Sequence, residues 1–371
     1  MNINLLLKHS QIIEVSLNFN ENLKNISKWH TTVELNNNNI FENKIILNLY
    51  SEYISVPFNF LSRPINTLYD GILVKSSLQK AVRRRNISAA VNLAWYMIRD
   101  NLISFLRRLP IIIIEDSILH IDYIYIIWLM IAIDKGWFID KEQIEKLLSI
   151  VFEISSSTHH ELLVKKKKEF FISYFKKEDL SLNDNIIISC FGMLIRTCYD
   201  DIKDNDIDML LGMSIIWNNR RNCIFKNEWQ NKLLFNHSFI SIDNIKNDLN
   251  DNDKLIEGVD FYCFPSIIDS IKFNFTFSED DIKQAIWHWR SGVYCKSYIS
   301  TLDHLNPNNT IYFEDPLFVK TRNQTKHIWD SICHLLNNIS LQYWSQNSIP
   351  RMDPPLKKQK INIKNFFDLK K

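Results

Sequence analysis

The stretch between residues 80 and 108 concentrates cations that could bind phosphate: Lys80, Arg83, Arg84, Arg85, Arg107 and Arg108. Guanidinium groups suit phosphate oxygens because their N–H donors form a fixed fork. The same side chains could instead pair with Glu115 and Asp116, or form a solvated face, and the sequence leaves these alternatives open. Any nucleic-acid role depends on such a local patch, because the formal net charge of the chain is only +2.

A second group of residues imitates the site of a metal-dependent nuclease. Asp260, followed by Asp281 and Lys283, has an order in which two carboxylates hold a metal and a lysine lies near the attacking water. Ser278 precedes Asp281 by three residues, and this spacing is also typical of a helix N-terminus. The helix start is the favoured interpretation, so we expect no catalytic residue and no metal, with a nuclease as the alternative.

Aromatic residues are frequent in the C-terminal third of the chain. Trp287, Trp289 and Tyr294 lie close together beside His288 and Arg290. Exposed rings of this kind stack on unpaired bases. At helical spacing, however, two of them are expected to face a hydrophobic core, and this interpretation is favoured.

Glycine is scarce, with six residues in a chain of 371. Loops that cradle nucleotide phosphates need several glycines within a short window, since the backbone must approach the ligand closely. The sequence contains neither a Walker A motif nor GxGxxG. We therefore expect no nucleotide-driven motor, no Rossmann enzyme and no cofactor. The six cysteines are scattered without a CxxC pair, which predicts free thiols in a reducing compartment.

The hydrophobic pattern changes along the chain and predicts a mainly α protein with a small β-containing N-terminal region, α+β overall. Alternating segments occur in residues 1–68, whereas helical periods begin near Leu68, with Ser88 as the expected cap of a helix from Ala89. The apolar run from Tyr123 to Ile133 is shorter than the roughly 20 residues of a membrane span, so a buried helix and no membrane are expected.

The same pattern suggests a division of the chain into regions. The predicted order is a β-containing region, a helical domain, a hinge rich in Asp and Asn, a second helical region and a flexible basic tail. Their bounds are 1–68, 69–242, 243–257, 258–345 and 346–371.

Three blocks of sequence, in a matching order and spacing, resemble a known family. The blocks are Leu78 to Arg85, the Ala89-Ala90 and Ala94-Trp95 pairs, and Arg107 to Asp116. They resemble the helical C-terminal region of replication-associated AAA+ ATPases related to clamp loaders, the MgsA/RarA/WRNIP group. The part of the chain before them has no P-loop, and the family's glycine after the Glu-Asp pair is Ile118. The resemblance therefore implies a helical region that supports self-association, without ATP hydrolysis.

The last residues of the chain resemble the sliding-clamp-binding peptide of replication proteins. That peptide has an aliphatic residue three positions after its first residue and two aromatics six and seven positions after it. Ile363, Phe366 and Phe367 fit this spacing, with Lys360 at the first position, where the family has Gln. The alternative is a basic tail that packs its two Phe on its own domain. The preceding basic run, from Lys357 to Lys360, resembles a short nuclear import signal.

These features together predict a non-enzymatic accessory factor of DNA replication or repair that binds DNA and a sliding clamp. A nuclear location follows from the tail, with a cytoplasmic one as the alternative. Besides the nuclease, the sequence leaves open a structural assembly protein without a nucleic-acid role.

Overall fold

A computed structural model describes most of the chain. The described residues are 2–8, 11–17, 21–35, 45–161, 185–199, 202–221, 239–259, 266–299, 310–311 and 316–350. They confirm the expected fold class, which is mainly α with a small N-terminal sheet.

The N-terminal sheet has four strands in the order β2-β1-β4-β3. They are β1 (Asn2–Lys8), β2 (Gln11–Leu17), β3 (Trp29–Leu35) and β4 (Ile45–Ser51), with α1 (Glu21–Ile26) between β2 and β3. β1 is antiparallel to β2 and parallel to β4. It is buried along most of its length, as expected for a central strand with both faces covered.

One face of the sheet packs on the helices. Trp29 of β3 lies edge-on to Trp128 and Trp137, with ring centroids 5.7 and 5.0 Å away. Ile3 and Ile45 lie opposite Phe191. Because one hydrophobic core includes side chains of the sheet and of the helices that follow, the predicted regions 1–68 and 69–242 share their interior.

The clamp-loader-like segment forms two helices that fold back on each other. They are α2 (Gly71–Arg83) and α3 (Ile87–Asp116). α3 begins two residues earlier than predicted, because Asn86 and not Ser88 caps it by accepting from the Ala89 N–H. α3 is interrupted at Asn101, which has non-helical backbone angles and caps the second half through the Ser104 N–H. The second half therefore returns alongside α2.

The apolar run after α3 forms the buried helix that the sequence predicts. α4 (Tyr123–Asp134) has every side chain from Tyr123 to Ala132 buried. α3 and α6 (Asn185–Cys198) pack against it, while α5 (Lys141–Ser156) packs on α3 and α7 (Asp204–Arg221) packs on α6. A helix that is apolar on all sides is stable only inside a core, and α4 occupies that place.

The predicted hinge follows the surface of the helical body. Arg63 donates to the Ile242 carbonyl and to Asp243, both at 2.6 Å. Asn92 donates to Asp253 at 2.9 Å, and the Asp253 side chain is buried. The many Asp and Asn side chains of this segment therefore act partly as acceptors that fasten it to the preceding helices.

The C-terminal region has a smaller core of its own. Its helices are α8 (Ser266–Asn274), α9 (Glu279–Trp289), α10 (Pro316–Gln324) and α11 (Lys326–Gln346). Leu73 of α2 belongs to this core, so α2 contacts both halves of the molecule. A two-stranded ribbon of β5 (Thr67–Tyr69) and β9 (Ser348–Pro350) pairs the residues before α2 with those after α11. The first residues of the predicted tail thus belong to the folded body.

A three-stranded sheet joins the two halves a second time. Its strands are β6 (His159–Glu161), β7 (Ser297–Ile299) and β8 (Thr310–Ile311), in the order β6-β7-β8. β6 follows α5 directly, and β7 belongs to the C-terminal region. Charged side chains beside this sheet are described below.

Candidate nucleic-acid interface

The cation-rich end of α2 is a Schellman turn with an arginine where glycine is common. The Arg85 N–H donates to the Val82 carbonyl and the Asn86 N–H donates to the Ala81 carbonyl. This pair of bonds places Arg85 in the left-handed region, with φ of 59°. The turn directs the Arg85 side chain outward, and it is exposed.

Lys80 and Arg84 point toward the C-terminal half. Lys80 is buried, and its Nζ donates to the Glu257 carbonyl at 2.5 Å. Arg84 donates to the Arg290 carbonyl and lies 3.9 Å from the Glu257 carboxylate. Lys80 therefore joins α2 to the end of the predicted hinge, and Arg84 joins it to the C-terminal region.

Arg83 makes the shortest ion pair of this cluster. Its Nε lies 2.5 Å from Oδ1 of Asp116, which is only 2% exposed, and its Nη1 reaches the Ser291 carbonyl at 3.4 Å. The other carboxylate oxygen of Asp116, Oδ2, is buried without a hydrogen-bond partner among the described residues. A buried carboxylate charge is costly unless it is paired. The pairing with Arg83 therefore stabilises the buried Asp116.

Arg107 and Arg108 lie near the middle of the returning half of α3, and both are partly exposed. Arg108 donates to the side chain of Gln79 and lies 3.3 Å from Glu115. Burial raises the pKa of Glu115, and the neighbouring Asp116 raises it further. Arg108 therefore partly offsets the desolvation of the Glu115 carboxylate.

Lys296 is a buried cation that the sequence analysis did not single out. Its Nζ donates to the Asp116 carbonyl at 2.7 Å and to the Ile154 carbonyl at 2.8 Å. These carbonyls belong to the C-terminal ends of α3 and α5, where the helix dipole favours a positive charge. Burial nevertheless lowers the pKa of Lys296 to about 7.

His160 is the second titratable group at this point. Burial lowers the pKa of its imidazole to about 4; the Asp116 carboxylate opposes this shift, and Lys296 and Arg83 add to it. The local sequence around Lys296 gives no sign of this site, because its acceptors on Asp116 and Ile154 lie 180 and 142 residues away in the chain. The structure thus brings together four ionisable groups, those of Arg83, Asp116, His160 and Lys296.

The six predicted phosphate ligands therefore do not share one open face. Lys80 is buried, and Arg83, Arg84 and Arg108 bond to oxygens inside the protein. Arg85 is the exposed member of the set, and Arg107 and Arg108 are partly exposed on another part of the same hairpin.

The residues of the nuclease alternative serve other purposes where they are described. Asp281 accepts from the Ser278 hydroxyl at 2.6 Å, and Ser278 caps α9 through the Asp281 N–H. Lys283 pairs with Glu279 at 2.6 Å. Asp260 lies outside the described residues. Within the part of the chain that the structure describes, no cluster of His, Cys, Asp and Glu could hold a metal ion.

The aromatic residues of α9 have mixed positions. Trp287 is exposed, whereas His288 is buried and Trp289 is half-buried. Arg290 lies inside the protein, where it donates to Asn337 at 2.7 Å and to the Ile256 carbonyl. The expectation of a core position thus holds for some members of this group and not for Trp287.

The clamp-binding residues Lys360, Ile363, Phe366 and Phe367 lie outside the described residues. The structure describes the chain as far as Pro350, which pairs with Thr67.

Among the described helices, none combines the length and the apolar character needed to cross a membrane. Among the described residues, Cys190, Cys198, Cys295 and Cys333 form no disulfide bond.

Comparisons with models of protein families, with curated proteins and with solved structures find no match. The resemblance of residues 78–116 to clamp-loader-related ATPases therefore stays a prediction.

Proposed function

We propose that this chain is a non-enzymatic accessory factor of DNA replication or repair that binds DNA and, through its C-terminal residues, a sliding clamp. The observation that carries the proposal is the clamp-loader-like order of residues 78–116. The matching helical character of α2 and α3 supports it.

Within this proposal, the cations of the cluster differ in how readily they can contact DNA phosphates. Arg85 is exposed and can reach phosphate without giving up a bond within the described protein, whereas Lys80, Arg83 and Arg84 would have to leave their oxygen acceptors. Breaking the pair of Arg83 with the buried Asp116 costs about 3–5 kcal/mol. Leaving the carbonyl acceptors of Lys80 and Arg84 unpaired costs about 1–3 kcal/mol each. We infer that Arg85 makes the main contact with DNA phosphates, with Arg107 and Arg108 as secondary contributors.

The internal bonds of these cations also favour a second candidate, a structural assembly protein without a nucleic-acid role. Self-association through the helical region is a proposal common to both candidates. Salt-sensitive binding of DNA separates them, because counterion release makes phosphate contacts weaken as salt rises.

Calorimetry of the full chain with the sliding clamp of the same organism tests the clamp half of the proposal. We expect modest, roughly micromolar affinity, since about 1.5–3 kcal/mol per buried Phe is opposed by the ordering of the tail. The double variant Phe366→Ala, Phe367→Ala should not bind. Equal binding by both chains, or by neither, removes clamp binding from the function.

A further inference from the structure

Arg322 lies between two aromatic rings where α10 meets the end of α9. Its Cζ is 4.2 Å from the ring centroid of Trp289 and 4.5 Å from that of Tyr294. Both distances are within the range of a cation–π contact. The Trp289 indole N–H donates to the Thr325 hydroxyl at 3.3 Å. The rings are thus a fixed support for a guanidinium group that remains partly exposed.

The Arg322 guanidinium has no carboxylate or carbonyl acceptor among the residues that the structure describes. Its Nε is buried and makes no hydrogen bond there. A guanidinium offers five N–H donors in a fork that suits carboxylate or phosphate oxygens. An arginine that is held in place but lacks an acceptor is therefore suited to an anion from outside the described protein.

Arg99 shows what a purely structural arginine does in the same chain. Its Cζ lies 4.8 Å from the ring centroid of Trp95, which resembles the contact of Arg322 with Trp289. Arg99, however, donates to the carbonyls of Arg63, Pro64 and Asn247. An arginine that packs on an aromatic ring can therefore still bond to carbonyl oxygens. The ring contacts of Arg322 do not explain why its guanidinium lacks such acceptors among the described residues.

Two lysines lie near Arg322 among the described residues, and one of them is paired with an acid. Lys326 lies 5.1 Å from the Trp289 ring centroid and pairs with Asp330, while Lys320 is exposed on α10. The pKa of His288 is lowered, first by its burial and then by the charge of Arg322. The positive charge of Arg322 is therefore felt by its neighbours, and it favours a negatively charged ligand.

We propose that Arg322, supported by Trp289 and Tyr294, binds backbone phosphates of a single strand of nucleic acid. The proposal rests on the proposed function in naming DNA as the ligand, and it adds a contact surface in the C-terminal half. Phosphate is the favoured anion because its oxygens match the fork. A single strand is favoured because proteins that bind one combine cations with aromatic side chains.

The test is fluorescence anisotropy of a labelled oligothymidine with the full chain, measured over a range of salt concentrations. We expect Arg322→Gln to weaken binding about tenfold, as for the loss of one charge-assisted hydrogen bond. The salt slope should fall by about 0.7, the value for one phosphate of a single strand. Arg322→Lys keeps the charge without the fork and should lie between the two.

Lys254→Gln is the matched control. Lys254 also lies over an aromatic ring, at 5.7 Å from Tyr69, but it has an acceptor in Asp251. Its replacement should leave affinity and salt slope unchanged, and circular dichroism checks that each variant is folded. Inorganic phosphate at millimolar concentration should not abolish the part of the binding that depends on Arg322.

The outcomes separate the two proposals. If the natural chain binds oligothymidine and both Arg322 variants bind equally well, the Arg322 site is overturned while the proposed function stands. Complete displacement by free phosphate also overturns it, since the site then takes a small anion. If no form of the chain binds DNA at low salt, both proposals fail.

Discussion

The Nε of Arg83 lies 2.5 Å from Oδ1 of Asp116, at the point where the ends of α2 and α3 meet. The backbone carbonyl of Asp116 in turn accepts from Lys296 of the C-terminal half. One acidic residue thus connects two helices through its side chain and the C-terminal region through its backbone. Residues that resemble a phosphate-binding patch in the sequence are here part of the internal framework.

Removing the acid of this pair should destabilise the protein. We expect Asp116→Ala to lower the free energy of unfolding by about 3–5 kcal/mol, because it leaves the Arg83 charge partly buried without its partner. Glu115→Ala is the control, since the Glu115 side chain is 22% exposed and pairs with an arginine that is itself 29% exposed. Its cost should be smaller than that of Asp116→Ala, because the Glu115 side chain is 22% exposed and that of Asp116 is 1% exposed. Chemical denaturation measures both, and equal costs would contradict the role of Asp116.

Lys296 should make the free energy of unfolding depend on pH between about 7 and 10.5. Its pKa is about 7 in the folded protein and 10.5 as the ordinary value, so the unfolded chain binds more protons between these two values. The free energy of unfolding therefore rises with pH across this window, by up to about 1.4 kcal/mol per unit. The contribution is complete above 10.5 and is lost as the pH falls toward 7.

Lys296→Met removes this titration and is the variant to compare. The other ionisable groups near Lys296 are Asp116, Arg83, Arg85, Cys295 and His160, and all remain in the variant. Denaturation of both proteins from pH 6 to pH 10 should show the natural chain gaining stability relative to the variant above pH 7. Parallel curves over the whole range would mean that Lys296 is not desolvated.

Close packing of the segment before α8 against α2 can be tested at a glycine. A Cβ on Gly258 would lie 2.0 Å from the Ser77 hydroxyl and 3.2 Å from the Ser77 Cα. We expect Gly258→Ala to cost about 1–3 kcal/mol, since the 3-10 turn at Ile256–Gly258 must move away. Gly71→Ala is the control, because no atom lies within 4 Å of its added Cβ, and it should be neutral or slightly stabilising. Similar thermal midpoints for the two variants would show that this segment is loosely attached.

The sequence predicted those helices and strands whose hydrophobic pattern is visible within a few consecutive residues. The run from Tyr123 to Ile133 predicts α4, and the alternating residues of β3 and β4 predict two strands of the sheet. β1 lacks alternation because it is central and buried on both faces, so its apolar run does not identify a strand.

The site was less predictable than the fold because its contacts are long-range. Pairing of the arginines with Glu115 and Asp116 was one of the alternatives that the sequence left open. Lys296 reaches Asp116 across 180 residues of chain, and such a contact has no local signal. Likewise, Arg322 gave no sequence signal, since its aromatic neighbours Trp289 and Tyr294 belong to a different segment.

DNA binding by the full chain, compared with that of Arg85→Gly, tests the proposed function most directly. Glycine suits the left-handed position of Arg85, so the variant should be more stable by about 1 kcal/mol, and weaker binding could not be attributed to unfolding. We expect salt-sensitive binding by the natural chain, and a salt slope lower by about 0.9 on duplex DNA for the variant. The exposed Lys28→Ala should behave as the natural chain does. Absence of salt-sensitive DNA binding by the natural chain would contradict a role as a DNA-binding accessory factor.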